Sequence, residues 1–179
     1  RHGIVALRDL PDAKASLEPV LHRYALVGTR GAPIVGQHWY NAPAGTTQFN
    51  PGGAVTLMEF TAHWCGPCRK SYPAITRLQH EFAPRGMRSL FATLTYGFFK
   101  QDKSLAPAQE AADDSAYYLG EHALSVEVAV CEMRHDSTGA TPDMPNETSY
   151  GVSGIPQVVV LDKHGVIRMI VVGWDPASE

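Results

Sequence analysis

The 179-residue chain is long enough to bury a substantial core, because 44% of its residues are hydrophobic and 18% are charged, and this size predicts one domain with extensions. Its net charge of -3 offers no basic surface, which argues against a nucleic acid partner. Three cysteines are too few for a disulfide-stapled scaffold, and the longest strongly apolar stretch, residues 166–174, is much shorter than the ~20 residues of a membrane-spanning helix.

The first part of the chain predicts an accessory helix followed by a loop. Apolar residues in 17–24 recur at three- and four-residue spacing, as on one helical face, although Pro19 argues against an undisturbed helix. Residues 28–53 are rich in Gly, Pro, Asn and Thr and predict a loop with a short hairpin. We therefore expect an N-terminal extension over residues 1–30 and the main domain over residues 31–179.

A strand and a helix are predicted around the first two cysteines. Residues 54–60 are a nearly continuous apolar run, which is typical of a strand covered on both faces and ends close to Cys65. After Cys68, apolar residues recur at helical spacing over 72–82, and Gly86 provides a stop. Cys65 is therefore predicted to lie at a strand-to-helix junction.

The rest of the chain predicts a mixed sheet. Residues 89–94 and 126–131 are predicted strands, and residues 106–119 are the crossover helix that parallel pairing requires. Residues 157–161 and 166–172 are two apolar runs joined by a short link ending in Gly, which predicts an antiparallel hairpin. The predicted fold class is therefore α/β, with a mixed central sheet flanked by helices.

Two segments interrupt this pattern. Residues 134–146 predict an exposed inserted loop before a short helical turn near Tyr150. Asp175 and Pro176 have the character of an N-cap and a first helical residue, yet the chain stops at Glu179. We expect the closing helix to be missing or unresolved.

Cys65 and Cys68 enclose Gly-Pro, and two cysteines at this spacing form a small, reversible disulfide. At a helix start, unpaired backbone N–H groups and the helix dipole favour a thiolate on Cys65 and lower its pKa below the ~8.5 of a free thiol. Cys65 is therefore the predicted nucleophile and Cys68 the resolving thiol, which displaces the mixed disulfide formed with a partner. This chemistry requires no cofactor.

Glu59 is the candidate acid/base for the second step. It is the only charged residue in the apolar strand that precedes Cys65, so a buried carboxyl beneath the cysteine pair could take the proton of Cys68. The alternative is a carboxylate that leans to solvent at the strand end or pairs with a cation.

Residues 60–70 resemble the active-site segment of thioredoxins. Glu59 matches the buried acid of that family, and Pro73 matches the proline that kinks its active-site helix. Gly154, Ile155 and Pro156 resemble the cis-proline segment that lies against the disulfide. The resemblance implies a thioredoxin fold, a cis Pro156 and an Ile155 main chain that pairs with an extended protein or peptide substrate. The implied substrate-binding residues are Trp64, Gly66, Pro67, Ile155 and Pro156.

Within thioredoxin-like proteins, residues 150–156 and 162–165 are most similar to the TlpA/ResA-like extracytoplasmic branch. The resemblance implies a periplasmic or otherwise extracytoplasmic protein, with membrane anchoring through a removed N-terminal segment. It also implies reduction of particular protein disulfides, such as those of cytochrome c precursors, and an upstream thiol–disulfide electron donor. A reductase is favoured, with a disulfide oxidase or isomerase as the alternative.

Two further functions use the same motif or fold. A Cys-x-x-Cys pair is half of a zinc site, with Cys131 and His63 or His135 as further ligands, but the second pair with ligand spacing is missing and Gly-Pro fits the redox motif. A thiol peroxidase shares the fold, but Thr61 lacks the Thr-x-x-Cys spacing that the peroxidase pattern needs. We therefore predict no metal site.

Several other residues have two interpretations. His63 either tunes the Cys65 thiolate or is an exposed histidine near a helix start, and the second is favoured. Trp64 either has a purely structural packing role or also shields the disulfide and contacts partners. Cys131, which ends an apolar strand, is predicted to be a buried, inert thiol. The aromatic residues that could form a partner groove, with core or loop anchoring favoured for most, are Trp39, Tyr40, Tyr96, Phe98 and Phe99.

Overall fold

A six-stranded mixed sheet lies at the centre of the computed structural model, which describes residues 11–135 and 142–175. The helices are α1 (Pro11–Leu26), α2 (Gly66–Phe82), α3 (Pro107–Ser115) and α4 (Pro145–Ser149), with a 3₁₀ turn (Ala83–Arg85) after α2 and a π-helical turn (Ala116–Glu121) after α3. The strands are β1 (Ile34–Val35), β2 (His38–Tyr40), β3 (Gln48–Phe49), β4 (Thr56–Phe60), β5 (Arg88–Leu94), β6 (Phe98–Phe99), β7 (Asp102–Lys103), β8 (Glu127–Cys131), β9 (Arg134–His135), β10 (Pro142–Asp143), β11 (Gln157–Leu161) and β12 (Ile167–Val172).

The strand order in the central sheet is β12-β11-β4-β5-β8-β2. The three central strands β4, β5 and β8 are parallel, whereas β11, β12 and β2 are antiparallel to their neighbours. Because parallel strands need a crossover, α2 connects β4 to β5 and α3 connects β5 to β8. The predicted α/β class with a mixed sheet is confirmed, including the antiparallel hairpin at its end.

Successive residues of β4 point to opposite faces of the sheet. Leu57 packs into the same hydrophobic cluster as Cys68, whereas Met58 and Phe60 pack into the cluster on the other face. Every residue of this strand is buried, which explains the continuous apolar run in the sequence. Glu59 is two residues after Leu57 and therefore points to the same face of the sheet, which is the face that carries Cys68.

Helix α2 begins and ends where the sequence indicated. Cys65 is its N-cap and Pro67 lies in its first turn, where a missing N–H costs nothing. Pro73 lies inside the helix. The 3₁₀ turn that follows ends at Gly86 with φ 87°, a left-handed conformation that favours glycine. Both predicted boundaries of the active-site helix are thus confirmed.

Residues 28–53 are more regular than a loop. The predicted short hairpin corresponds to antiparallel pairing of β1 with β3. The sequence did not predict β2, which carries Trp39 and Tyr40 and pairs with β8 at the edge of the central sheet. A three-residue, half-buried strand is too short to produce a readable periodicity.

Helix α1 forms despite its internal Pro19. Its predicted apolar face is largely exposed, since Leu21 and Tyr24 are 57% and 71% accessible, while Leu26 packs against the core. The division at residue 30 stays a prediction. No helix of the described ranges has the length and apolarity needed to cross a membrane.

The predicted insertion before Tyr150 is described at its two ends. Strand β9 pairs with β10, and α4 provides the predicted short helix, with Tyr150 as its C-cap. The middle of the inserted loop and the helix start predicted after Asp175 lie outside the described residues.

Candidate active site

The candidate active site lies at the carboxyl edge of the central parallel strands, where open α/β sheets bind ligands. β4 ends at Phe60 and leads into the turn that carries Cys65. β11 begins at Gln157, which is paired with Phe60, so the register brings Ile155 and Pro156 to the same edge. Strand pairing therefore unites two segments that are far apart in the sequence.

Cys65 and Cys68 are joined by a disulfide, and their sulfur atoms have different surroundings. As the N-cap of α2, Cys65 accepts a hydrogen bond at Sγ from the backbone N–H of Cys68, at 3.2 Å. The N-terminal N–H groups and the helix dipole stabilise negative charge at this position. Cys68 lies inside the first turn and is fully buried. This asymmetry supports a stabilised thiolate on Cys65.

The surface around the disulfide is partly apolar and accessible. Trp64 is 47% exposed, although Cys65 itself is only 3% exposed. Pro67 is exposed and Gly66 is half-buried. The Trp64 ring makes an edge contact with the Tyr96 ring, at 5.3 Å between centroids. Trp64 therefore packs on its neighbour and also presents an apolar surface, and its contact with partners stays a prediction.

Glu59 is fully buried, so the alternative of a carboxylate leaning to solvent is wrong. Its Oε2 lies 2.7 Å from the hydroxyl of Ser71 on α2. Burial raises the pKa of Glu59 from 4.5 to about 8, against the smaller lowering effect of hydrogen bonds from Ser71 and Thr61. The carboxyl group therefore holds its proton in most molecules at neutral pH.

Ser71 connects Glu59 to the main chain of Cys68. Its hydroxyl lies 2.7 Å from Glu59 Oε2 and also 2.7 Å from the carbonyl oxygen of Cys68. A hydroxyl has one proton to donate, and a carbonyl can only accept. Both contacts are hydrogen bonds at once when protonated Glu59 donates to Ser71 and Ser71 donates to Cys68. When Glu59 loses its proton, Ser71 donates to only one of its two neighbours.

Ile155 and Pro156 approach the cysteines from the start of β11. Their peptide bond is cis, and Pro156 is buried. Ile155 is half-buried and packs against the hydrophobic cluster that contains Cys65 and Cys68. The carbonyl of Pro156 accepts a hydrogen bond from Gly173 at 2.8 Å. The structure thus brings all the predicted site residues to one edge of the sheet.

His63 differs from the favoured sequence interpretation, which expected an exposed histidine. It is 4% exposed, and its Nδ1 lies 2.9 Å from Oδ1 of Asp114, whose side chain is fully buried. Phe98 and Phe99 contact the imidazole at 5.2 and 4.8 Å between centroids. The exposed interpretation is wrong because the β6 segment and α3 cover the turn before Cys65.

Two acidic residues of α3 were missed by the sequence analysis. Glu110 and Asp114 are one helical turn apart, and both are fully buried. Glu110 accepts hydrogen bonds from the backbone N–H groups of Tyr96 and Gly97, both at 2.6 Å. The sequence signal for their burial is their spacing. Two acidic residues at positions i and i+4 lie on one face of a helix, and this alanine-rich helix was predicted to cover the sheet.

The aromatic residues named in the sequence analysis separate into two groups. Tyr96, Phe98 and Phe99 lie around His63 and Trp64. Phe98 and Phe99 also line a cavity of about 220 Å³ beside Trp64. The other two, Trp39 and Tyr40, belong to the edge strand β2.

Cys131 lies at the end of β8, away from the redox pair in the sequence. It is 3% exposed and takes no part in a disulfide. Its burial agrees with the predicted buried thiol.

A candidate donor set for a metal ion lies near the cysteines. One ligand atom from each of His63, Glu110 and Asp114 lies within 4.8 Å of the others. Both oxygens of Glu110 already accept backbone N–H groups, and His63 and Asp114 contact each other. Among the described residues, His63 Nε2 and Asp114 Oδ2 are buried without a hydrogen-bond partner.

Comparison with known proteins finds one similar curated protein and many solved structures with a similar fold. No family model matches the chain. The chain is 30% identical over 121 residues to the thioredoxin-like protein YneN of Bacillus subtilis, an alignment covering 68% of this chain and 58% of that protein. The chain therefore spans little more than half the length of the curated relative it matches.

The solved structures show the same fold at low identity. A thiol-disulfide isomerase from Corynebacterium glutamicum has a TM-score of 0.62 and 15% identity, with 84% of this chain and 90% of that chain covered. A protein assigned as thiol:disulfide interchange protein DsbE from Chlorobium tepidum has a TM-score of 0.59 and 22% identity, with 85% and 89% covered. The resemblance to thioredoxin-like proteins and the thioredoxin-like fold are confirmed.

Proposed function

Because this chain is thioredoxin-like in sequence and fold, we propose that it is a thiol–disulfide oxidoreductase that reduces disulfides in protein or peptide substrates. One observation carries the proposal: the Cys65–Cys68 disulfide caps the N-terminus of α2, and a buried carboxyl, Glu59, lies one hydroxyl away from the main chain of Cys68. This arrangement supports a stabilised thiolate at Cys65 and a proton acceptor near Cys68.

In the proposed reaction, the reduced enzyme transfers two electrons to its substrate. The Cys65 thiolate attacks one sulfur of the substrate disulfide, so that an enzyme–substrate disulfide forms and the other substrate sulfur leaves as a thiolate. Cys68 then loses its proton and attacks the Cys65 sulfur. The second substrate thiolate leaves, and the Cys65–Cys68 disulfide forms. An upstream dithiol donor returns the two electrons.

Glu59 is the proposed acid/base for both directions. As a carboxylate it accepts the proton of Cys68 during resolution, and as a carboxyl it returns a proton to Cys68 when the donor reduces the disulfide. A pKa of about 8 suits both steps, because each protonation state is populated near neutral pH. Ser71 keeps the carboxyl oriented through its 2.7 Å contact.

The substrate is proposed to dock across Trp64, Gly66 and Pro67 on one side of the disulfide and along Ile155 and Pro156 on the other. The exposed indole of Trp64 supports apolar contact with a partner, and an extended chain can pair with backbone groups at Ile155. By resemblance to the TlpA/ResA-like branch, we propose an extracytoplasmic location.

The experiment separates the two chemical steps. In a Cys68→Ala background, Glu59→Gln should leave unchanged the rate at which Cys65 forms a mixed disulfide with insulin, because that step does not use the proton of Cys68. With Cys68 present, Glu59→Gln should slow insulin reduction at least ~10-fold and remove its pH dependence near pH 8. The control is Glu81→Gln, which changes an exposed carboxylate on α2.

Two results would contradict the proposal. Wild-type protein that neither reduces insulin nor forms a mixed disulfide is not an oxidoreductase of protein disulfides. A Glu59→Gln variant with the wild-type rate from pH 6 to 9 excludes Glu59 as the acid/base. The equilibrium of the Cys65–Cys68 couple with glutathione gives the direction of electron flow. In the same glutathione mixture, the cysteine pair of a reductase is mostly oxidised and that of an oxidase is mostly reduced.

A further inference from the structure

The turn before Cys65 contains a buried histidine–aspartate pair that the proposed reaction does not use. His63 Nδ1 lies 2.9 Å from Asp114 Oδ1, and the two side chains are 3% and 0% exposed. The turn is closed by a hydrogen bond from the Cys65 backbone N–H to the carbonyl of Ala62 at 3.0 Å. His63 therefore occupies a fixed place next to the nucleophile.

Asp114 is itself held in place by the packing of α3. Glu110, one turn earlier on that helix, accepts two hydrogen bonds from the backbone after β5, and Tyr96 of that backbone contacts Trp64. The helix is thus tied to the active-site turn at two points, one through Glu110 and Tyr96 and one through Asp114 and His63.

The charge of this pair matters because water is excluded from it. Burying an unpaired carboxylate is costly, and the partner that the structure gives Asp114 is an imidazole. Burial raises the pKa of Asp114, and the contact with His63 opposes that rise. A protonated His63 compensates the carboxylate, and two residues of chain place its Cα at most about 7 Å from that of Cys65.

We propose that Asp114 holds His63 as an imidazolium beside Cys65, and that this pair positions a positive charge that sets the reduction potential of the Cys65–Cys68 couple. The inference rests on the proposed thiol–disulfide function and deepens it. A cation near Cys65 stabilises its thiolate and therefore the reduced protein, so the pair makes the couple less strongly reducing than the helix N-terminus alone would.

Other ionisable groups also face the pair. They come from the edge strand (Tyr40), the backbone after β5 (Tyr96), α2 (Arg69), the β6–β7 turn (Lys100) and α3 with its extension (Glu110, Asp113, Tyr118 and Glu121). Lys100 is paired with Glu121 at 2.9 Å, and both are exposed. Asp114 and His63 are the buried members in direct contact, so substitutions there should dominate.

The main test measures the redox equilibrium of the protein with glutathione. In this reaction two molecules of reduced glutathione convert the Cys65–Cys68 disulfide to the dithiol, and glutathione disulfide forms. His63→Gln should shift this equilibrium roughly three- to tenfold toward the protein disulfide, and tenfold corresponds to about 30 mV. The rate of Cys65 alkylation by iodoacetamide at pH 6 should fall by a similar factor, because less thiolate is present. Unchanged values in both measurements overturn the inference.

Asp114→Asn gives a result whose sign is diagnostic. If Asp114 acts by holding the imidazolium, its loss shifts the equilibrium in the same direction as His63→Gln, and the double variant equals either single variant because the pair acts as a unit. If Asp114 acts only as a nearby negative charge, its removal stabilises the Cys65 thiolate and shifts the equilibrium in the opposite direction. The second result overturns the inference.

Matched controls and a measurement on wild-type protein complete the test. His80→Gln and Glu81→Gln, both at the exposed end of α2, should leave the equilibrium unchanged. If the variants fail to fold, nitrogen chemical shifts of His63 in reduced wild-type protein at pH 7 decide: an imidazolium supports the inference and a neutral ring overturns it. Insulin reduction by wild-type protein tests the proposed function separately, because the glutathione equilibrium does not depend on insulin being a substrate.

Discussion

At the scale of single residues, two buried ionisable side chains shortly precede the cysteine pair in the sequence. Glu59 on β4 is paired with a hydroxyl, Ser71, and burial raises its pKa. His63 in the following turn is paired with a carboxyl, Asp114. The first arrangement suits a group that exchanges a proton, and the second is the pair on which the proposed control of the reduction potential rests.

The raised pKa of Glu59 predicts how stability depends on pH. Below pH 4.5 the carboxyl is protonated in both folded and unfolded chains and contributes no difference. Between pH 4.5 and about 8 the unfolded chain releases the proton while the folded chain keeps it, so the wild type loses stability as pH rises. Glu59→Gln removes this loss.

We therefore expect the free energy of unfolding of oxidised Glu59→Gln, relative to wild type, to rise between pH 4 and pH 8 by on the order of a few kcal/mol. Urea unfolding at pH 4, 6 and 8 measures it. Glu81→Gln, an exposed substitution on α2, should show no such trend. A difference between Glu59→Gln and wild type that stays constant with pH would mean that Glu59 is ionised in the folded protein.

At the scale of elements, the turn between β11 and β12 holds the loop before β4 in place. Gly165 donates a hydrogen bond to Asp162 and accepts one from Gly31, both at 2.8 Å. Its φ is +77°, and a Cβ there would lie 2.7 Å from the carbonyl oxygen of Pro51. Glycine is required at this position for both its conformation and its lack of a side chain.

Gly165→Ala should therefore lower the free energy of unfolding by roughly 1–3 kcal/mol through strain, with a further loss from the contact with Pro51. Gly45→Ala is the matched control, because Gly45 has a similar φ of +79° but open space around the Cβ position. Chemical denaturation of both variants gives the comparison. Equal losses would show that the contact with Pro51 relaxes without cost.

At the scale of the whole molecule, the redox state of one disulfide is coupled to the stability of the entire fold. The reduction potential of the Cys65–Cys68 couple differs between the folded and the unfolded chain. By a thermodynamic cycle, this difference equals the difference in folding stability between the oxidised and the reduced protein. A strong oxidant is one whose reduced form is the more stable. A reductase should show the reverse order.

We expect the oxidised protein to have a higher urea midpoint than the reduced protein, as the proposed reductase direction requires. Unfolding with and without dithiothreitol measures the difference. The double variant Cys65→Ser with Cys68→Ser should show no effect of dithiothreitol, which controls for the buried thiol of Cys131. A more stable reduced form would assign the chain to disulfide oxidation.

The sequence by itself determined the features that depend on short spacing. The continuous apolar run of β4, the Cys-Gly-Pro-Cys motif at the start of α2, and Gly86 beyond its end are local patterns, because a strand, a helix start and a helix stop each need only a few neighbouring residues. Cys65 at the helix start followed from these patterns, and the α/β class followed from the further strands and the crossover helix along the chain.

Only the tertiary structure decided which distant side chains meet. Strand register brings Ile155 to Cys65, packing of α2 on β4 brings Ser71 to Glu59, and packing of α3 brings Asp114 to His63. An exposed and a buried histidine look the same in a sequence, because burial depends on the elements that cover a turn. The contact between His63 and Asp114 is therefore a property of the assembled fold.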